Sequence, residues 1–195
     1  MKELTRVGEI HRKTGETEIL VKVEVDGTGS YQIDTPIPFL SHMLTLLSVH
    51  SLCNLKVTAH GDIDVDDHHT VEDIGICLGE SIKMALQDKK GINRYGEATV
   101  PMDESLARVV IDLSGRPYMV YNVKIEREKV GDLASENVQE FFQAVANSSG
   151  MNLHIDLLRG DNGHHIIEAI FKAFARALKT AVAIEPRVEG IWSSK

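Results

Sequence analysis

The chain has 195 residues, 43% of them apolar and 26% charged, which suits one large domain or two small fused ones around a buried core. Its net charge of -8 opposes a general binder of nucleic acid or of membrane surfaces, whose electrostatic footprint would be basic. A small basic pocket for an anionic substrate stays compatible with that total.

No apolar run approaches the ~20 residues that span a bilayer, and no N-terminal stretch resembles a signal peptide. Cys53 and Cys77 show neither metal-ligand nor redox spacing, so two buried free thiols in a cytoplasmic protein are expected. Nine histidines stand out, most of them in two places.

In chain order, Glu18 to Val25 alternates in the strand manner, and Asp26-Gly-Thr-Gly29 reads as a turn. Tyr31 to Thr35 follows as a return strand, halted by Pro36 and Pro38. Phe39 to Val49 has helical spacing, Leu55 to Ala59 is a strand, and Asp62 to Asp67 is an acidic loop. A helix opens near His68, with Val71, Ile74, Leu78, Ile82 and Ala85 three or four apart and Gly91 as its stop. The order then recurs. Val100 to Leu113 and Pro117 to Ile125 read as strands around Ser114-Gly115-Arg116, and Ser135 to Val145 is helical. Leu153 to Leu157 is a strand, Gly160 to Gly163 a loop, and His164 to Ala183 a helix.

Two blocks of the same order suggest duplication and fusion, with repeats at 1–92 and 93–195 in one compact unit. The expected fold is α+β, two pseudo-symmetric repeats, each a mixed sheet packed against helices.

The repeat carries chemistry. Asp67-His68-His69-Thr-Val-Glu72 in the first block matches Gly163-His164-His165-Ile-Ile-Glu168 in the second. Residues three and four apart share a helix face, so a histidine meets the glutamate. Neighbouring histidines diverge by about 100°, so each pair suits two metals better than one. Four imidazoles and two carboxylates form a natural ligand set for paired Mn, Fe or Zn. His42 stands 26 residues before His68, and Glu140 stands 24 before His164, which makes them candidate further ligands in matching places. His11, His50, His60 and His154 lack such support and read as ordinary polar groups. Lys172 shares a helical face with His164, while Arg94, Arg116 and Lys195 fall in loops or at the end; spacing alone makes these solvated charges.

On these residues the sequence resembles the imidazoleglycerol-phosphate dehydratase family. Carrying the resemblance are Arg12 to Thr17, Pro38 to Met43, Asp66 to Asp73, Pro101 to Glu104, Leu113 to Pro117, His164 to Lys172 and Ser193 to Lys195. It implies a ribosomal protein S5 domain 2-like fold and a carbon–oxygen lyase acting in the sixth step of histidine biosynthesis, the dehydration of imidazole glycerol phosphate to imidazole acetol phosphate. It also implies two manganese ions per site and a homo-oligomeric cage of 24 subunits with sites shared across subunit boundaries. Implied metal ligands are His42, His68, His69, Glu72, His164, His165 and Glu168; many relatives carry histidine at the position of Glu140. Arg94, Arg116, Lys172, Ser193 and Lys195 match phosphate-binding groups, and Glu16 matches a substrate-contacting acid. Ser41, Thr45 and Leu46 depart from the family's commoner Asp-His-Met-Leu-Asp-Gln pattern.

A base is needed, because the departing proton sits on a carbon with no neighbouring carbonyl; Glu16 is the first candidate, with a metal-bound water, Glu72 and Glu168 as competitors. Two other readings fit the same ligand types. A dimetal phosphohydrolase would activate water and release inorganic phosphate, and a non-catalytic metal cage would lack a pocket of positive side chains.

Overall fold

The computed structural model of the chain describes residues 6–192. The first half runs β1 (Val7–Lys13), β2 (Thr17–Glu24), β3 (Tyr31–Asp34), α1 (Pro38–Ser51), β4 (Asn54–Gly61) and α2 (His68–Leu86). The second runs β5 (Tyr95–Met102), β6 (Ser105–Asp112), β7 (Tyr118–Asn122), a small hairpin β8 (Lys129–Val130) and β9 (Leu133–Ala134), α3 (Glu136–Ser149), β10 (Asn152–Arg159) and α4 (Gly163–Val182). The sheets have orders β1-β2-β4-β3 and β5-β6-β10-β7. In each, three strands are antiparallel and the last edge strand is parallel to its neighbour. The α+β fold of two repeat-like halves is as expected.

Pairing corrects the strand expectations. Tyr31 to Asp34 does not return along β2; it pairs in parallel with β4, and α1 makes the crossover that parallel neighbours require. The segment read as one strand from Val100 to Leu113 is the end of β5 and all of β6, joined by a tight turn at Asp103 and Glu104. Asp103 takes a φ of 47° there. Edge strand β1 was not foreseen, because Gly8 and Ile10 alternate with Glu9, His11 and Lys13 and leave little apolar signal. The helix from His68 stops at Leu86, short of Gly91.

Burial explains the layering. In β2, Ile19, Val21 and Val23 are buried, while Lys22 between them is exposed, so one face of the sheet is dry. Helix α2 covers β1 and β2, and α4 covers β5 and β6. Helices then pair across the halves, α1 with α4 and α2 with α3, so all four lie between the two sheets. Phe141 and Phe142 of α3 meet Phe171 and Phe174 of α4 at ring-centroid separations of 4.9 to 5.3 Å, a large apolar payload at the centre.

Glycines permit the closest approaches. A Cβ at Gly8 of β1 would strike the Ser81 carbonyl of α2, and one at Gly96 of β5 would strike the Ala177 carbonyl of α4. The same device thus seats α2 and α4 on their sheets. Between halves, Asp132 in the β8–β9 turn accepts the Phe39 N–H of α1 at 2.9 Å, and Asp67 accepts the Ala134 N–H at 2.8 Å.

The α2–α3 seam yields a test. Helix propensity alone makes Gly79→Ala a gain of about 1 kcal/mol. The new methyl, however, would lie 2.7 Å from the Val145 carbonyl oxygen and 2.8 Å from Ser148 Cβ. Overpacking should win, destabilising the protein by about 1–3 kcal/mol. The thermal unfolding midpoint of the variant should fall; an equal or higher midpoint would refute close packing at this seam.

Candidate metal centre

Both His-His pairs open a helix, and both first turns are tied down by a side chain two residues upstream. Asp66 accepts the His68 N–H at 2.8 Å. Asn162 accepts the His164 N–H at 2.9 Å and the His165 N–H at 3.5 Å. These contacts satisfy donors that a helix start leaves unpaired. They also fix the direction in which the imidazoles project.

Helix pairing across the halves assembles one cluster. His42 of α1 joins His164 and Glu168 of α4, with one ligand atom from each lying within 4.8 Å of the others. Glu168 Oε2 is 3.1 Å from His164 Nε2 and 3.5 Å from His42 Nε2. Its other oxygen accepts from Lys172 Nζ at 2.6 Å. Burial works to raise the Glu168 carboxyl, but the hydrogen bond and charge of Lys172, together with His164 and His42, hold it below the usual range. Two imidazole nitrogens and a carboxylate oxygen are borderline-to-hard donors suited to a first-row divalent ion, so these residues fit the metal expected of them.

The counterpart set is Glu140 of α3 with His68 and Glu72 of α2. It occupies the equivalent helix pair but is more open. His68 Nε2 is 4.0 Å from Glu72, whose side chain is 45% exposed against 9% for Glu168. The other ring nitrogen of His68, Nδ1, is 3.0 Å from Oδ1 of buried Asn137. Among the described residues Glu140 joins no ligand cluster.

His69 and His165, the second of each pair, diverge from these sets as the 100° helical step requires. His69 Nδ1 is 3.0 Å from Asp62, and His165 Nδ1 is 2.7 Å from Glu104. Each carboxylate raises the imidazole it binds above the usual histidine range, and Glu104 is itself held down to about 2 by His165 and the Asn162 N–H. His69 and Glu72 share a cavity of about 270 Å³ with Glu16, Arg12, Thr14 and Asp73. The turn bearing Glu16 is pinned beside Glu72: Thr14 accepts the Glu16 N–H at 3.1 Å, and buried Asp73 accepts from Arg12 at 2.7 Å and from Thr17.

Helix α2 pairs with α3 and α4 with α1, so within one chain the His68 set and the His164 set are built on different helix pairs. Phosphate candidates are also spread. Arg94 is buried and forks onto Asp112 at 2.6 and 3.2 Å. With Lys89, Ser114 and Trp192 it lines a cavity of about 300 Å³ that does not include Lys172. Arg116 is exposed in its turn, and Ser193 and Lys195 lie outside the described residues. Sequence reasoning passed over Asp62, Glu104, Asn137, Asp73 and Asn162. Asp62 stood in the acidic loop and Glu104 in the Pro101 to Glu104 stretch, but nothing local told which imidazole either would meet.

A family model described as imidazoleglycerol-phosphate dehydratase matches residues 35–178. The imidazoleglycerol-phosphate dehydratase of Syntrophomonas wolfei is 74% identical over 190 residues, covering 97% of this chain and 96% of that protein. That of Geobacter metallireducens is 55% identical over 192 residues, covering 98% of each. The crystal structure of the Staphylococcus aureus imidazoleglycerol-phosphate dehydratase superposes with a TM-score of 0.84 at 45% identity, covering 92% of this chain and 99% of that one. The Pyrococcus furiosus structure gives 0.80 at 35%, covering 93% and 97%.

Proposed function

The chain belongs to the imidazoleglycerol-phosphate dehydratase family, and from that premise we propose how its residues divide the work. It is a hydro-lyase of histidine biosynthesis that removes water from imidazole glycerol phosphate, a phosphorylated imidazole, to give imidazole acetol phosphate. Its relatives lend no support to a dimetal phosphohydrolase or a metal-storing cage.

The observation that carries the site is the His42–His164–Glu168 cluster. In our reading it holds one of two manganese ions, and Glu140, His68 and Glu72 hold the other. His69 and His165, turned away from these sets, complete the shells of ions on neighbouring chains. The seating of the two motifs on different helix pairs within one chain supports sites built between subunits of a closed homo-oligomer, a cage of 24. The matching halves fit a duplication with its junction at residues 92–93. Two free buried thiols, pushed up by burial to about 11 at Cys53 and about 12 at Cys77, fit a reducing cytoplasm.

Bound at these donors, the ions supply Lewis acidity toward the azole nitrogens. The chain's own groups do the rest. Arg94, Arg116 and Lys172, with Ser193 and Lys195, hold the phosphate and so fix the carbon chain between the ring and that anchor. The hydroxyl beside the ring leaves as water, carrying off the proton that the azole nitrogen gives up, and the next carbon becomes acidic. Glu16, exposed at its turn and facing the cavity of His69 and Glu72, takes the proton there. Glu72 and Glu168 are held by their ligand roles. The enol left behind becomes the ketone.

Chelator-stripped protein should not turn over imidazole glycerol phosphate, and added Mn²⁺ should restore turnover with phosphate retained on the product. Release of inorganic phosphate instead would overturn the proposal. Glu16→Gln should keep its metals and lower kcat by about 100- to 10,000-fold, the usual worth of a general base; near-normal turnover would remove Glu16 from that role. Sites between chains make a further prediction. A variant with His68 and His69 replaced by Ala and one with His164 and His165 replaced should each be inactive, yet regain part of the activity when co-assembled. Failure of mixed assemblies of normal size to recover would point to sites within single chains.

A further inference from the structure

Two motif imidazoles are gripped at the same ring nitrogen by carboxylates from non-corresponding loops. Asp62, just beyond β4, meets Nδ1 of His69 at 3.0 Å, and Glu104, in the β5–β6 turn, meets Nδ1 of His165 at 2.7 Å. An ionised carboxylate has only acceptor oxygens, so each ring in its neutral form keeps its proton on Nδ1 and presents the lone pair of Nε2. Duplication does not explain the match, because the two carboxylates occupy different places in their halves. Glu104 is itself fastened, accepting from the Asn162 N–H at 3.1 Å and from Ser105 Oγ at 2.9 Å. The residue that caps the His164–His165 turn therefore also seats the carboxylate behind His165. Asp103, 3.7 Å from His165 Nε2, lies on the side toward which that nitrogen looks.

We infer that Asp62 and Glu104 are positioning residues, fixing the tautomer and ring plane of His69 and His165 so that Nε2 of each is presented to a metal ion. The inference rests on the ligand roles proposed above for those two histidines. A carboxylate behind a ligating imidazole raises its basicity and holds its orientation, and removing such a partner commonly weakens metal binding by about 10- to 100-fold.

The test is Mn²⁺ binding to the assembled, chelator-stripped protein, followed by the electron paramagnetic resonance signal of free Mn²⁺. Asp62→Ala and Glu104→Ala should each weaken binding by about 10- to 100-fold. Asp62→Asn and Glu104→Gln keep an acceptor oxygen in place and should lose markedly less. In metal-free protein carrying ¹⁵N-histidine, the two alanine variants should show the proton leaving Nδ1 of the affected ring. Glu104 also holds the Asn162 loop, whereas the side-chain hydrogen bonds of Asp62 among the described residues go to His69 alone; the Asp62 arm therefore separates positioning from loop collapse. If all four carboxylate variants bind as the parent does while His69→Ala and His165→Ala bind weakly, the positioning role is wrong and the ligand reading stands. If His69→Ala and His165→Ala also bind as the parent does, the ligand reading fails and this inference falls with it.

Discussion

The pairing of helices across the two halves is the constraint from which the rest follows. Neither half makes the cluster of His42, His164 and Glu168 by itself, because His42 rides on a helix of the first half and the other two on a helix of the second. What holds α1 against α4 and α2 against α3 is apolar burial between two sheets, helped at the α2–α3 seam by Gly75 and Gly79, where the backbones come close. A hydrophobic interface therefore sets the distances between polar groups. Its rigidity matters, since well-packed cores transmit small shifts instead of absorbing them.

Pseudo-symmetry brings matching chemistry to two places, but the two differ in character. The His42–His164–Glu168 set is drawn together, with a nearly buried carboxylate balanced by Lys172. The His68–Glu72 set is open, with Asn137 behind one imidazole and Glu140 standing where the other half has His42. An exposed carboxylate costs little to keep charged, whereas a buried one needs a partner. The proposed second ion would thus meet a looser shell from its own chain and depend more on donors from elsewhere.

Much of this was legible in the sequence. The helices were, because large apolar residues recur three and four apart along α2 and α4, and so was the doubled motif, because its residues lie within a turn of one another. Edge strand β1 was hidden by Glu9, His11 and Lys13, and the parallel pairing of β3 with β4 was hidden because adjacency in sequence favours a hairpin. Site partners were hidden for a different reason. The contacts of Glu104 with His165, and of Asp73 with Arg12 and Thr17, join residues about 60 positions apart in the chain. No local pattern selects such partners; the fold does. Arg94 shows the same limit, since only the structure reveals the fork onto Asp112.

The β8–β9 hairpin has no equivalent in the first half, yet it fastens both of that half's helix starts, Phe39 through Asp132 and Asp67 through Ala134. A polypeptide made by joining two first halves would reproduce the sheets and lose the clasp, leaving the His42 and His68 helices untethered at their origins. The two halves are thus complementary instead of interchangeable. One now carries the lock and the other the key, and an exchange of either for its twin would break the pair.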